Sequence, residues 1–240
     1  MKYICILAAG KGVRMRSTIP KVLHKLNGKE LILHVLDKVK GIGEVFVVLG
    51  YKKKMVEKII PSWVRTVYQR RQLGTAHAVL KLEKYLKGKK GELIVLCGDV
   101  PLIKRETIID MLKEHRKNKN YITVLITKIK NPEGYGRIIE RNGEILRIVE
   151  EKSATPEEKR IKKINAGIYV FEIENLFDFL KKIKKNPLKG EYYLTDIIEI
   201  AKKNNKKVGC FEVGDWREVV GINTREELER VEKFLKRRVN

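Results

Sequence analysis

Apolar residues along this chain alternate between short continuous runs and stretches where they recur every three or four positions. Tyr3 to Leu7, Val45 to Leu49, Leu93 to Cys97 and Tyr121 to Ile129 are runs of strand length. Between them, Glu30 to Lys40 places Leu31, Ile32, Val35, Leu36 and Val39 on one helical face, Lys52 to Ile60 is helix-like, and Arg105 to Lys117 turns Ile108, Ile109 and Leu112 inward. Strands alternating with helices predict parallel strands joined by crossovers, hence an α/β sheet covered on both faces. Continuous apolar strands fit that two-sided burial.

The second half changes character. Arg137 to Glu150 reads as a hairpin around Asn142-Gly143, a dipeptide that accepts the positive φ angles of a tight turn. Thr155-Pro156-Glu157-Glu158 carries the cap, first-turn proline and reciprocal glutamate of a helix start. Ile164 to Phe171 and Val208 to Val213 read as strands, Phe177 to Ile183 and Asp196 to Lys203 as helices. Thr224 to Glu227 opens a last helix, from Arg225 to Asn240, with Leu228, Val231, Phe234 and Leu235 as its stripe. No repeat, low-complexity tract or Ser/Pro-rich linker interrupts this order. The expected organisation is one domain over 1–240, with a nucleotide-binding half at 1–130 and a second half at 131–240.

Composition narrows the classes. A hydrophobic fraction of 43% fits a packed globule, and the apolar runs are too short to cross a bilayer. Charged residues follow Ala8-Ala9-Gly10 at once, unlike a signal peptide, so a soluble cytoplasmic protein is expected. The 53 Lys and Arg against 30 Asp and Glu leave a net charge of +23, a field that would attract nucleic acid, anionic membrane or phosphorylated small molecules. Lys supplies 37 of the bases, and many sit between acidic residues on helices, so a Lys-rich thermophilic surface accounts for most of the excess. RNP-type aromatics, zinc-finger spacing and a helix-turn-helix pattern are missing, so no nucleic-acid or membrane partner is expected. Cys5, Cys97 and Cys210 are scattered and read as reduced thiols; neither they nor His24, His34, His77 and His115 have metal-binding spacing.

The sharpest chemistry follows the first strand, in Leu7-Ala8-Ala9-Gly10-Lys11-Gly12-Val13-Arg14-Met15 and Pro20-Lys21. Ligands of open α/β sheets sit at the carboxyl ends of strands. Gly10 and Gly12 let backbone N–H groups approach a ligand, and Lys11, Arg14 and Lys21 add cations, a phosphate-binding composition. It is neither a Walker A loop nor a complete dinucleotide fingerprint.

This segment resembles the signature of the nucleoside-diphosphate-sugar pyrophosphorylases. Further blocks match in order: Gln69 to Ala78, Gly98-Asp99-Val100-Pro101-Leu102, Gly134 to Ile138, Val149-Glu150, Ile164 to Ile168, Gly190 to Asp196, and Gly221-Ile222-Asn223. Together they resemble the uridylyltransferase domain of the N-acetylglucosamine-1-phosphate uridylyltransferases nearly end to end. The resemblance implies a Rossmann-like mixed central sheet flanked by helices, the nucleotide-diphospho-sugar transferase (GT-A-like) fold. It implies transfer of UMP from UTP to N-acetylglucosamine 1-phosphate with Mg²⁺; the same fold serving another pair, such as glucose 1-phosphate with UTP or dTTP, is the alternative.

By resemblance, Asp99 and Asn223 hold the metal; Asp99 ends an apolar strand, where a carboxylate reaches the crevice. Leu7, Ala8, Ala9, Gly10, Gly12 and Gly98 would line the nucleotide. Arg14 and Lys21 are expected to stabilise charge in the transition state and leaving group, Arg as a fork and Lys as a point charge. Gln69, Gly74 and Thr75 match the uracil block; an amide both donates and accepts, as a uracil edge requires. His77 is expected on a helix behind that block and not as a general base. Gly136, Glu150, Asn165, Tyr193 and Thr195 would line the N-acetylglucosamine pocket, although Tyr193 reads equally well as a core aromatic. Cys97 stands where these relatives usually carry Tyr. Bacterial relatives commonly continue into a left-handed β-helix acetyltransferase; its hexapeptide repeats are not found here, so neither acetyl transfer nor a β-helix trimer is expected, and a monomer or small homo-oligomer is.

Overall fold

The computed structural model describes residues 1–236. Its strands are β1 (Lys2–Ala8), β2 (Lys25–Leu26), β3 (Lys29–Glu30), β4 (Glu44–Leu49), β5 (Arg65–Tyr68), β6 (Glu92–Cys97), β7 (Ile122–Lys128), β8 (Gly136–Arg141), β9 (Glu144–Val149), β10 (Lys163–Glu172) and β11 (Val208–Glu212). The helices are α1 (Leu31–Val39), α2 (Lys53–Glu57), α3 (Thr75–Leu80), α4 (Glu83–Leu86), α5 (Arg105–Lys117), α6 (Pro156–Lys159), α7 (Leu176–Lys182), α8 (Ile197–Lys203) and α9 (Arg225–Lys236). The expected extension of the last helix to Asn240 runs outside the described residues.

One mixed sheet carries strands from both halves in the order β11-β7-β10-β6-β1-β4-β5, with the β8–β9 hairpin joined to β10. β1 lies parallel between β4 and β6, while β10 runs antiparallel between β6 and β7. The chain leaves β1 toward β4 and β5, then returns to its other side with β6. That reversal opens a crevice at the carboxyl ends of β1 and β6.

Alternation along each strand splits the core into two layers. Cys5, Phe46, Val48, Val95 and Phe171 bury against α3, α7 and α8. Ile4, Ile6, Val45, Val47 and Leu96 bury against α1 and α5. In α5 the inward face is Ile108, Met111 and Leu112 with His115; Ile109, expected inward, is only partly buried. Asn142 and Gly143 take φ of 53° and 78°, as the hairpin required. Both capping boxes form: Thr155 Oγ1 accepts from Glu158 N while Glu158 Oε2 accepts from Thr155 N, and Thr224 with Glu227 repeats the exchange. Among the described residues no helix is long and apolar enough to cross a membrane.

Candidate active site

The crevice encloses about 210 Å³ and brings together Leu7, Arg14, Thr75, Asp99, Gly136, Glu150, Asn165, Thr195 and Asn223 from the expected set. Ala8 and Ala9 are buried side chains in opposite core layers, so only their backbone is available to a ligand. Gly98 sits behind the loop, its N–H donating to Leu7 O at 3.0 Å. Arg14 lies in the short 3₁₀ turn Val13–Met15 and lines the crevice. Gly10 is exposed beside it.

Asp99 follows β6 and meets Asn223 from the far end of the chain. Ile222 N donates to Asp99 O at 2.9 Å, and the Ile222 side chain is fully buried with Leu26, Leu31 and Val231. These two anchors fix Asn223 next to the carboxylate. Asn223 Nδ2 donates to Gly221 O at 3.1 Å, which turns Oδ1 the other way, toward Lys21 Nζ at 3.0 Å. Lys21 Nζ also donates to Asp99 Oδ2. One ammonium therefore bridges both oxygens.

Gln69 is buried at the end of the edge strand β5. Its Nε2 donates to Gly74 O at 3.0 Å and to His77 Nδ1 at 2.9 Å. Because a carbonyl accepts on one side, the amide must present nitrogen there, and both its hydrogens are committed. The expectation that Gln69 both donates and accepts toward a base is therefore corrected: only its Oε1 remains to meet a ligand. His77 sits on α3 as expected, with its pKa lowered first by burial and then by Lys81. Gly74 adopts φ 102°, and a Cβ there would lie 2.5 Å from Tyr192 O. Tyr192 N donates to Leu73 O, Ala76 N to Tyr192 O, and Leu194 N to Thr75 Oγ1. The block expected to read the base is thus zipped to the segment before Thr195.

On the other wall, β10 bulges between Asn165 and Tyr169. Such an extra residue re-aims side chains locally. Asn165 Nδ2 donates to Tyr169 Oη at 2.7 Å, and its Oδ1 accepts from Gly167 N at 2.9 Å, leaving one amide hydrogen for the crevice. Glu150 follows β9; burial raises its pKa, opposed by a hydrogen bond from Thr195 Oγ1 at 3.0 Å. Tyr193 is half-buried and lies outside both the core layers and the crevice lining, its phenol pushed up to about 12 by burial and then by Glu191 and Glu150. Cys97 Sγ–H donates to Gly167 O, and burial and then Asp99 push the thiol up to about 12.

Tyr135 and Gly221, matched in sequence only as members of their blocks, also line the crevice, as do Tyr169 and Val219, which no block contains. Arg137, in the same block as Tyr135 but given no role from sequence, is almost fully buried. Arg137 Nη2 donates to Glu151 Oε2 at 2.6 Å and Nη1 to Tyr135 O, while Gly134 N donates to the same Glu151 oxygen. Among the described residues, no group of three or more His, Cys, Asp or Glu converges as a metal cage. The Asp99–Asn223 pair does fit a hard cation, since two oxygens already converge on one positive charge.

A mixed sheet with a Gly-rich loop, an acidic strand end and a basic 3₁₀ turn around one crevice defines a nucleotide-handling α/β protein. The nucleotidyl transferase family matches residues 4–229, and the chain belongs to it. It is 42% identical over 241 residues to the bifunctional protein GlmU of Streptococcus mutans, covering 99% of this chain and 52% of that protein. It is 44% identical over 243 residues to the bifunctional protein GlmU of Clostridium perfringens, covering 100% and 53%. The chain thus spans about half the length of these curated relatives. In fold it resembles a UDP-glucose pyrophosphorylase complexed with UDP-glucose, with a TM-score of 0.78, 19% identity and 99% of each chain covered. A glucose-1-phosphate thymidylyltransferase from Bacillus anthracis gives the same TM-score at 22% identity, covering 98% of this chain and 95% of that one. These neighbours bear out the nucleotide-diphospho-sugar transferase fold.

Proposed function

We propose that this chain transfers the uridylyl group of UTP to N-acetylglucosamine 1-phosphate, as in UDP-N-acetylglucosamine biosynthesis. A phosphate oxygen of the sugar attacks the α-phosphorus of UTP, the bond to the β-phosphate oxygen breaks, and pyrophosphate leaves. The observation that carries this reading is the convergence of Arg14, Asp99, Asn223 and Thr75 with Gly136, Glu150, Asn165 and Thr195 in one crevice. It is supported by the family match and by relatives named bifunctional protein GlmU.

No nucleophilic side chain is needed; positioning and charge dispersal carry such transfers. Arg14 would fork onto phosphate oxygens as charge develops, and Lys21 would act as a point charge. Gln69 Oε1, the Gly74 backbone and Thr75 would meet the uracil edge. Glu150, Asn165 and Thr195, with backbone at Gly136, would meet hydroxyls and the acetamide, and Tyr193 would border them. A Mg²⁺ ion, held by Asp99 and Asn223, would offset phosphate charge when bound. Unpaired cysteines and a nucleotide substrate support a cytoplasmic setting, and linked surface ion pairs such as Lys87–Glu83–Lys181 support a thermophilic one.

The test is pyrophosphate release across a matrix of nucleoside triphosphates and sugar 1-phosphates. UTP with N-acetylglucosamine 1-phosphate should give the highest kcat/KM, and Asp99→Asn should nearly abolish it with the fold intact. A preference for glucose 1-phosphate, or for dTTP, would reassign the substrate.

A further inference from the structure

We infer that the Lys21 ammonium is the resident counter-cation of Asp99 and Asn223 in the nucleotide-free protein, and that a divalent ion enters this oxygen pair only by displacing it. The inference rests on the reading of Asp99 and Asn223 as a metal pair. Lys21 Nζ sits on Asp99 Oδ2 and on Asn223 Oδ1 at once, so one side-chain oxygen of each residue is spent on the same charge. Neither end of the ion pair is free in solvent: the side chains are 20% and 15% exposed. A half-buried carboxylate stripped of its cation carries an uncompensated charge, so the pair holds while nothing better is offered.

The local backbone directs the lysine there. Gly12 has φ 61°, and a Cβ on it would lie 2.6 Å from Lys21 Cβ, so only glycine lets the loop press on the lysine stem. Pro20 and the turn Lys21–Leu23, with Val22 buried, fix the root of the side chain. The long flexible stem leaves the head free to move once a stronger cation arrives.

Two protein oxygens alone bind Mg²⁺ or Mn²⁺ weakly, because such ions keep several waters and lean on substrate phosphates. Competition from Lys21 weakens that further. A metal–nucleotide complex reverses the balance: it brings its own ligands for the cation and phosphates for the displaced ammonium. Loading of metal and nucleotide is thereby coupled, and the free protein resists bare metal. If the ammonium occupies the pair in nine molecules of ten, apparent metal affinity drops about tenfold.

The experiment titrates Mn²⁺ into the nucleotide-free protein and follows free ion by electron paramagnetic resonance. Lys21→Met and Lys21→Gln should each bind Mn²⁺ about tenfold tighter than wild type, and Lys21→Met combined with Asp99→Asn should lose that gain. Unchanged or weaker Mn²⁺ binding in both single variants overturns the inference, as does a gain that survives loss of Asp99. A wild-type protein that turns over UTP while its Lys21 variants titrate like it removes only the cation exchange. A wild type without pyrophosphate release removes only the proposed reaction, because the Mn²⁺ titration does not depend on turnover.

Discussion

Thr195 Oγ1 donates to Glu150 Oε1 at 3.0 Å, joining the 3₁₀ turn before α8 to the end of β9 across the crevice. The carboxyl it reaches is one that burial disfavours as an anion. Removing the donor strands a buried acceptor, which costs about 1–3 kcal/mol. Thr195→Val should raise KM for N-acetylglucosamine 1-phosphate about tenfold or more while KM for UTP stays near wild type, and Thr195→Ser should restore most of the loss. Steady-state kinetics with each substrate varied in turn check this; equal rises in both KM values would remove Thr195 from the sugar side.

Arg14 approaches from the opposite wall, and the Cβ position at Gly134 lies 4.0 Å from its Nη1. In the proposed reaction a guanidinium there would contribute most as phosphate charge shifts toward the leaving group. Arg14→Ala should lower kcat about 10²-fold with a smaller change in KM, the pattern of an interaction that strengthens in the transition state. Arg14→Lys should fall between, because it keeps charge but loses the fork. A changed KM with unaltered kcat would make Arg14 a ground-state contact.

Contiguous blocks such as Leu7 to Met15 and Gly98-Asp99 were legible in the sequence because their chemistry is local to one βα turn. The hairpin at Asn142-Gly143 and both capping boxes were legible for the same reason. The edge strand β5 was not, since only Val67 of its four residues is buried and its pattern is mostly polar. Tyr169 lies in the apolar run Ile164 to Phe171, which gives no sign that the bulge before it brings its hydroxyl to Asn165. The commitment of Gln69 to Gly74 and His77 depends on how a loop folds back, which no spacing rule encodes. Likewise, the union of Asp99 with Asn223 needs the burial of Ile222.

At Gly74 the loop after β5 meets the Tyr192 segment backbone to backbone. An alanine there would have to adopt φ 102° and place a methyl 2.5 Å from Tyr192 O, with Tyr192 N 2.7 Å away. A non-glycine residue in such a conformation costs about 1–3 kcal/mol before the collision is counted. Gly74→Ala should lower the melting temperature by about 4 °C or more and, on the proposed reading of this loop as the base-facing block, weaken UTP binding. Differential scanning calorimetry and nucleotide titration check both; a variant as stable as wild type would show that the Tyr192 segment yields without cost.

His115 reports on pH from inside the protein. It is fully buried on α5, with Nδ1 2.8 Å from Thr123 Oγ1 and Nε2 3.4 Å from Glu172 Oε1. Thr123 Oγ1 also accepts from Asn120 Nδ2 at 3.0 Å, so the ring is held in a polar cluster. The Glu92–Arg116 pair faces the same ring. Burial lowers the pKa from 6.5 to about 4, more than Glu92 raises it, with Arg116 lowering it further. Above about 6.5 the ring is neutral in both folded and unfolded chains, so its contribution to stability is complete. As pH falls from there toward 4, the unfolded chain takes up a proton that the folded chain refuses, and stability drops by at most about 1.4 kcal/mol per pH unit. Urea midpoints at pH 7.5 and 5.0 should therefore separate more for wild type than for His115→Gln, which cannot titrate. The variant will be less stable at pH 7.5, because Thr123 Oγ1 loses its fitted partner, yet its loss on acidification should be smaller by about 1–2 kcal/mol. Equal losses in the two proteins would mean that His115 stays neutral in the unfolded chain or is already charged in the folded one.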